Sequence, residues 1–248
     1  MKLTCLTSFL TGVLASAILA PQASAAIALD RTRIIFDGSS RSLSLNISNK
    51  NKDLPYLAQG WIENADGVKI DSPLIVLPPL QRVEPLAKSQ VKVQALPAAN
   101  TLPQDKETLY YFNLREIPPR SNKANTLQIA LQTRIKMFYR PQALIKNSVG
   151  MINVWKESIA LKREGGKYRV ENHSPYFFTL VGVSAAGKEI ADVKPLMISP
   201  QSSELLPVSA ERIGSAPAVT FINDYGGRPQ LVFRCAGAGC SVADYKEG

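Results

Sequence analysis

The sequence predicts an all-β protein made of two β-sandwiches, and three observations carry that prediction. Short segments of alternating apolar and polar residues recur through residues 27–233, separated by turn-forming clusters at about the 8–12-residue spacing of a sandwich. No segment of any length shows helical periodicity. Eight strand-like segments precede a less patterned span at residues 142–150 and seven follow it, which makes two units of about the usual 100-residue sandwich size.

In chain order, Met1 to Ala25 opens with Lys2, continues through an apolar run from Leu3 to Ala20 and closes on Ala23-Ser24-Ala25. This is the pattern of a secretory signal peptide. The apolar run approaches the length of a short membrane span, so an uncleaved anchor is the alternative, against which stand the helix-breaking Pro21 and the small-residue cleavage site. Cleavage leaves 223 residues (248 less 25), exported into an oxidising compartment, with no later segment apolar enough to span a bilayer. The expected units are then 26–144 and 145–248.

Strands are expected at Ile27–Phe36, Ser42–Ser48, Tyr56–Glu63, Leu74–Leu77, Arg82–Glu84, Gln90–Ala95, Thr108–Glu116 and Leu127–Tyr139. The second set is Ile152–Lys156, Ile159–Arg163, Tyr168–Asn172, Phe177–Ser184, Glu204–Pro207, Ala218–Asn223 and Gln230–Phe233. Asp37-Gly38, Ala65-Asp66-Gly67 and Pro78-Pro79 are among the punctuating turns. Leu127–Tyr139 stands apart because it is longer than the common five or six residues, with Leu127, Ile129, Leu131, Ile135 and Met137 on one face and Gln128, Gln132, Arg134 and Lys136 on the other. Alternation alone leaves two readings of it open: a strand over its own core, or one that outruns its domain and offers an apolar stripe to something else.

Export removes Cys5 and leaves Cys235 and Cys240, with four residues between them. They are expected to form a local disulfide, since Gly237 and Gly239 allow a tight turn between strand ends. A zinc half-site is the alternative, but a structural zinc needs four ligands and no further Cys or nearby His exists, so no metal or cofactor is expected. The formal charge of +9 falls to +8 on loss of Lys2, with the basic residues scattered; a solvated surface rather than a nucleic-acid site follows. The single histidine, His173, lies in a turn with no nucleophile or acid motif beside it, and no phosphate loop or nucleophile elbow occurs, so no catalytic residue is expected.

Two stretches bring a family into view: Leu102 to Pro118 (LPQDKETLYYFNLREIP), and the end of the long strand, Lys136-Met137-Phe138-Tyr139-Arg140-Pro141. With Leu29-Asp30-Arg31-Thr32-Arg33, Trp61-Ile62-Glu63-Asn64 and Asn223 to Pro229, they resemble the periplasmic pilus (fimbrial) chaperones. The resemblance implies two immunoglobulin-like domains in a boomerang, a periplasmic location, and as partners the pilus subunits (pilins and adhesin) and an outer-membrane usher. It further implies that the chaperone lends a strand to a subunit whose own sandwich is one strand short, with Leu127, Ile129 and Leu131 entering the subunit groove. Arg33 and Lys136 would bind the subunit's C-terminal carboxylate. The residues alone do not separate Lys136 from Arg134, or Arg33 from Arg31, and Lys136 falls on the strand face opposite Leu131 unless a bulge intervenes. Glu107, Arg140 and Asp224 would form an interdomain charge network. The short Arg120–Asn125 loop resembles that of the subfamily serving rod-like pili. The alternative outside the family is a secreted two-domain β-sandwich binding or adhesion module, which needs no lending strand.

Overall fold

A computed structural model of the chain describes residues 25–122, 125–191 and 193–248, so the expected signal peptide lies outside the described residues save Ala25. Three sheets account for the strands. The first unit contains β1 (Ile27–Leu29), β2 (Arg33–Asp37), β3 (Ser42–Asn49), β4 (Tyr56–Glu63), β5 (Lys69–Ile70), β6 (Leu74–Leu77), β7 (Leu80–Val83), β8 (Lys88–Ala95), β9 (Thr108–Ile117) and β10 (Gln132–Arg140). They pair as β1-β3-β8-β6 and as β2-β10-β9-β4-β5, with β7 also on β4. Between the sheets lies a core that includes Ile34, Phe36, Leu45, Val93, Phe112 and Met137. Gly60 of β4 permits the close approach of the layers, because a Cβ there would sit 2.8 Å from Val76 Cγ1.

The second unit contains α1 (Ser148–Ser158), β11 (Ile159–Glu164), β12 (Lys167–Asn172), β13 (Phe178–Ala185), β14 (Lys188–Glu189), β15 (Leu196–Ile198), β16 (Ser202–Ser209), α2 (Ala210–Ile213), β17 (Pro217–Phe221), β18 (Gln230–Ala236) and β19 (Gly239–Lys246). Its strands form one continuous path, β14-β13-β17-β18-β19-β11-β12-β16, with β15 on β13. The path folds around a second core of Trp155, Tyr176, Phe178, Phe221 and Phe233 among others. Its two halves join through only two residue pairs, Leu161 with Cys240 and Lys162 with Gly239.

The structure departs from the expected elements at four places. Ile27–Phe36 is two strands: β1 pairs antiparallel with β3 in one sheet, and β2 pairs parallel with β10 in the other. The chain crosses between layers at Asp30–Thr32, where the Asp30 carboxylate accepts hydrogen bonds from Asn46 Nδ2 (2.9 Å) and Arg31 Nε (2.8 Å). Ile152–Lys156 is helical, inside α1, because Asn147 caps the helix through Gly150 N (2.8 Å) and Met151 and Trp155, four apart, bury one face in the second core. Its Ile-Asn-Val-Trp stretch imitates strand alternation over too short a window. β5, β14 and β15 were not expected, and β19 was expected only as the strand end beyond the Cys235–Cys240 turn. Finally, the long strand begins at Gln132, not Leu127.

That last departure has a covalent cause. β9 and β10 pair from Thr108–Tyr139 to Arg115–Gln132, and one further bond runs from Glu116 N to Leu131 O at 3.0 Å. The next rung of the ladder would run from the N–H of residue 118 to Ile129 O, and residue 118 is proline, followed by Pro119. Without a donor the ladder stops, and residues 127–131 leave the sheet.

Candidate functional site

Residues 127–131 are exposed, with Leu127 at 83%, Ile129 at 62% and Leu131 at 40%, large values for apolar side chains carried on a backbone outside the ladder. Gln128 Nε2 donates to Pro119 O and tethers the segment beside β9. The first core therefore does not use these three side chains, in contrast to Met137, which is fully buried on the same alternation. Beyond Leu131, β10 is paired to β9 alone until Lys136, where its pairing with β2 begins. Opposite Leu131, the side chain of Glu116 on the β9 side reaches the other layer and accepts from Ile27 N at 2.8 Å.

Arg33 and Lys136 are register partners of the parallel β2–β10 pair. Such partners put their side chains on one face, with backbones about 4.8 Å apart. No bulge is present between β9 and β10, so Lys136 does lie on the face opposite Ile135 and Met137. That face looks toward the second unit. Arg33 Nη1 donates to Ile222 O at 3.0 Å, Phe138 packs on Phe177 with ring centroids 5.4 Å apart, and the Arg33 guanidinium lies 5.8 Å from the Phe138 ring centre. Arg31, Arg33, Arg140, Lys146, Asp224 and Tyr225 are among the residues lining a cleft of about 430 Å³.

The structure separates the cations that the sequence left undivided. Arg31 is paired with Asp30 at 2.8 Å and Arg134 with Glu63 at 2.8 Å. Among the described residues no carboxylate lies within ion-pairing distance of Arg33 or Lys136. Both are buried enough to feel it. Burial draws the Arg33 guanidinium down against the pull of Asp224 and Glu107, and burial followed by the charges of Arg33 and Arg134 draws the Lys136 ammonium down. Two adjacent, partly desolvated cations whose charged forms are disfavoured gain most from an incoming anion.

Glu107, Arg140 and Asp224 do come together. Arg140 Nε donates to Glu107 Oε1 at 2.8 Å, while Nη1 and Nη2 donate to Asp224 Oδ2 and Oδ1 at 2.7 and 2.9 Å. Glu107 Oε2 accepts from Phe177 N at 2.8 Å, so the first unit's acid holds the second unit's backbone. Burial works against the Arg140 charge, but the hydrogen bonds and charges of Asp224 and Glu107 outweigh it and hold the guanidinium well above its ordinary pKa. Burial pushes the Glu107 carboxyl up, against Arg140 and the Phe177 N–H. Tyr176 was not singled out from the sequence, yet its ring lies 4.9 Å under the Arg140 guanidinium and its hydroxyl donates to Leu144 O at 2.6 Å. Ile222 was missed for a plainer reason, since it acts through its carbonyl and no side-chain pattern reports that.

Cys235 and Cys240 are disulfide-bonded register partners of β18 and β19, across a turn in which Gly237 takes φ +62°. His173 is exposed beside Glu171 at 3.5 Å. Among the described residues no group of three or more His, Cys, Asp and Glu is placed to hold a metal.

Taken together, the structure is of a two-unit β-sandwich protein whose units are joined by a buried charge cluster, with an exposed apolar segment preceding two adjacent cations that lack a carboxylate partner among the described residues. Comparison with known proteins narrows that class. Residues 26–145 match the family model described as "Pili and flagellar-assembly chaperone, PapD N-terminal domain", and residues 154–233 match "Pili assembly chaperone PapD, C-terminal domain". The chain is 52% identical over 227 residues to the chaperone protein PapD of Escherichia coli, covering 90% of this chain and 92% of that one. It is 48% identical over 220 residues to the probable fimbrial chaperone YfcS of Escherichia coli (strain K12), covering 88% and 86%. Among solved structures, the periplasmic chaperone SfaE superposes with a TM-score of 0.66 at 28% identity, over 83% of this chain and 98% of that one. The chain belongs to the family of PapD-like pilus-assembly chaperones.

Proposed function

We propose that this chaperone works in the periplasm, reached through a cleaved signal peptide at 1–25, where it captures pilus subunits, completes each one's sandwich with its own 127–131 segment, and passes it to an outer-membrane usher. The observation that carries this reading is the exposed apolar stripe of Leu127, Ile129 and Leu131, which the first core does not use, on the segment immediately before β10, the strand of Lys136 and its pairing with register partner Arg33. A subunit lacking a strand exposes an apolar groove and unpaired backbone edges, an aggregation hazard that a strand with one apolar face covers. Three such side chains at about 1.5–3 kcal/mol each supply roughly 5–9 kcal/mol before the costs of association, strong enough to hold a subunit and weak enough to release it. The subunit's terminal carboxylate, seated between Arg33 and Lys136, fixes the register of the added strand. The Glu107–Arg140–Asp224 cluster keeps the angle between domains 26–144 and 145–248, and the short Arg120–Asn125 loop, of which residues 123 and 124 lie outside the described residues, goes with a rod-like pilus.

The test is the double substitution Arg33→Ala, Lys136→Ala. The variant is expected to fold and to lose subunit recovery from periplasm, since each cation contributes a charge-assisted contact of about 1.5–3 kcal/mol. Undiminished recovery of subunits would overturn the anchor.

A further inference from the structure

We propose that Glu63 and Tyr111 keep Arg134 from acting as a second carboxylate site and so prevent the captured strand from seating two residues out of register. The inference rests on the reading of Arg33 and Lys136 as the anchor. A slip of one residue is already excluded by alternation, because it turns every apolar side chain away from the groove. A slip of two is not. It returns each side chain to the same face, and alternation is blind to it. Only the anchor discriminates, and it discriminates only while no equivalent cation stands two positions away on the same face.

Arg134 stands at that position, on the Lys136 face of β10. Its Nε donates to Glu63 Oε2 at 2.8 Å, and its guanidinium lies 3.5 Å from the ring centre of Tyr111, the register partner of Lys136 on β9. Glu63 is itself fixed, because Trp61 Nε1 donates to its other oxygen at 2.9 Å. One step further along the same face, opposite Gln132, Arg115 is also stacked and hydrogen-bonded, though to a neutral amide: Nε and Nη2 donate to Gln59 Oε1 at 3.2 and 2.6 Å, and the guanidinium lies 5.5 Å from the Trp61 ring. Three cations thus line this face at two-residue steps along the strand direction. Arg134 and Arg115 are stacked and hydrogen-bonded to neighbours; Lys136, among the described residues, is not. A stacked guanidinium already holding a carboxylate offers an incoming anion little.

The geometry also says which wrong partner would benefit. A chain with its carboxylate at Lys136 and its body toward Leu127 runs parallel to β10. Losing its last two residues brings its terminus level with Arg134 while its apolar side chains stay opposite Leu127, Ile129 and Leu131. Two synthetic peptides copying the C-terminal strand of a pilus subunit, one complete and one lacking the last two residues, are titrated calorimetrically into the mature two-domain protein. The wild type is expected to prefer the complete peptide by roughly tenfold or more, the scale of one charge-assisted contact. Glu63→Gln, which retains an acceptor for Trp61, is expected to shrink that ratio severalfold by strengthening the truncated peptide, and Arg134→Gln added to it is expected to restore the ratio. A ratio unchanged in folded Glu63→Gln overturns the proposal. Should that variant fail to fold, Tyr111→Leu is read the same way, an unchanged ratio again overturning it. The underlying anchor is checked separately with Lys136→Ala: complete peptides bearing an acid or an amide terminus that bind this variant as they bind the wild type would refute the anchor itself.

Discussion

Residues 127–131 and 132–140 carry one uninterrupted alternation, and the structure treats the two halves in opposite ways. In the second half Met137 and Tyr139 are buried, with β9 on one side and β2 on the other. In the first half Leu127, Ile129 and Leu131 stand exposed. The side chains do not account for the difference, since both halves present large apolar groups at every second position but one. The neighbours do: β2 reaches only as far as Lys136, and β9 runs out of donors at Pro118. Alternation therefore reports that a strand has an apolar face. It does not report whose core that face completes.

The comparison can be broken most forcefully at the end of the buried half. Arg140→Ala leaves Glu107 buried without its cation and is expected to cost about 3–5 kcal/mol in urea unfolding, whereas the exposed half contains no group with a comparable penalty. Next, Met137→Ala is expected to lower stability by about 2–5 kcal/mol through the cavity it leaves, while Ile129→Ala, the same kind of truncation eight residues earlier, stays within about 0.5 kcal/mol of wild type. Equal losses at the two positions would erase the distinction. The smallest effect sharpens it: Pro118→Ala supplies the missing donor for Ile129 O and is expected to raise hydrogen-exchange protection around residues 118 and 129–131, with little change in global stability. Protection identical to wild type would mean that the proline does not end the ladder.

Much of the first unit was legible because its strands are long, alternating and half-buried, as β4 and β6 are at the bounds expected for them. The charge cluster was legible only through resemblance, since nothing in the spacing of Glu107, Arg140 and Asp224 shows that they meet. Other features were hidden for physical reasons. β19 is mostly exposed and its pairing shifts register opposite Val232 and Phe233, so its period is broken. The helix α1 hides β-branched residues on a surface that its cap and two buried side chains decide. Asn172 is buried, donating from Nδ2 to Tyr176 O (2.8 Å) and Ser199 O (2.9 Å), and Asn49 plays a similar part in the first unit through Leu54 O and Val83 O. A side chain that replaces missing backbone partners leaves no periodic trace. The proposed anchor lies between these cases, because four cations were visible and only the positions of Asp30 and Glu63 tell which two lack a carboxylate partner among the described residues.

Whether residues 127–131 are held out for a partner is tested most directly by Ile129→Glu, with thermal unfolding and subunit copurification measured on the same preparation. An exposed stripe awaiting a subunit tolerates the charge in the unbound protein, because water solvates it, but not in the complex, where the groove does not. The expected result is a melting temperature near that of wild type with no subunit bound, while Gln128→Glu on the opposite face is mild in both measurements. A melting temperature several degrees lower for Ile129→Glu, or full subunit recovery with it, would return the segment to an ordinary part of the first domain.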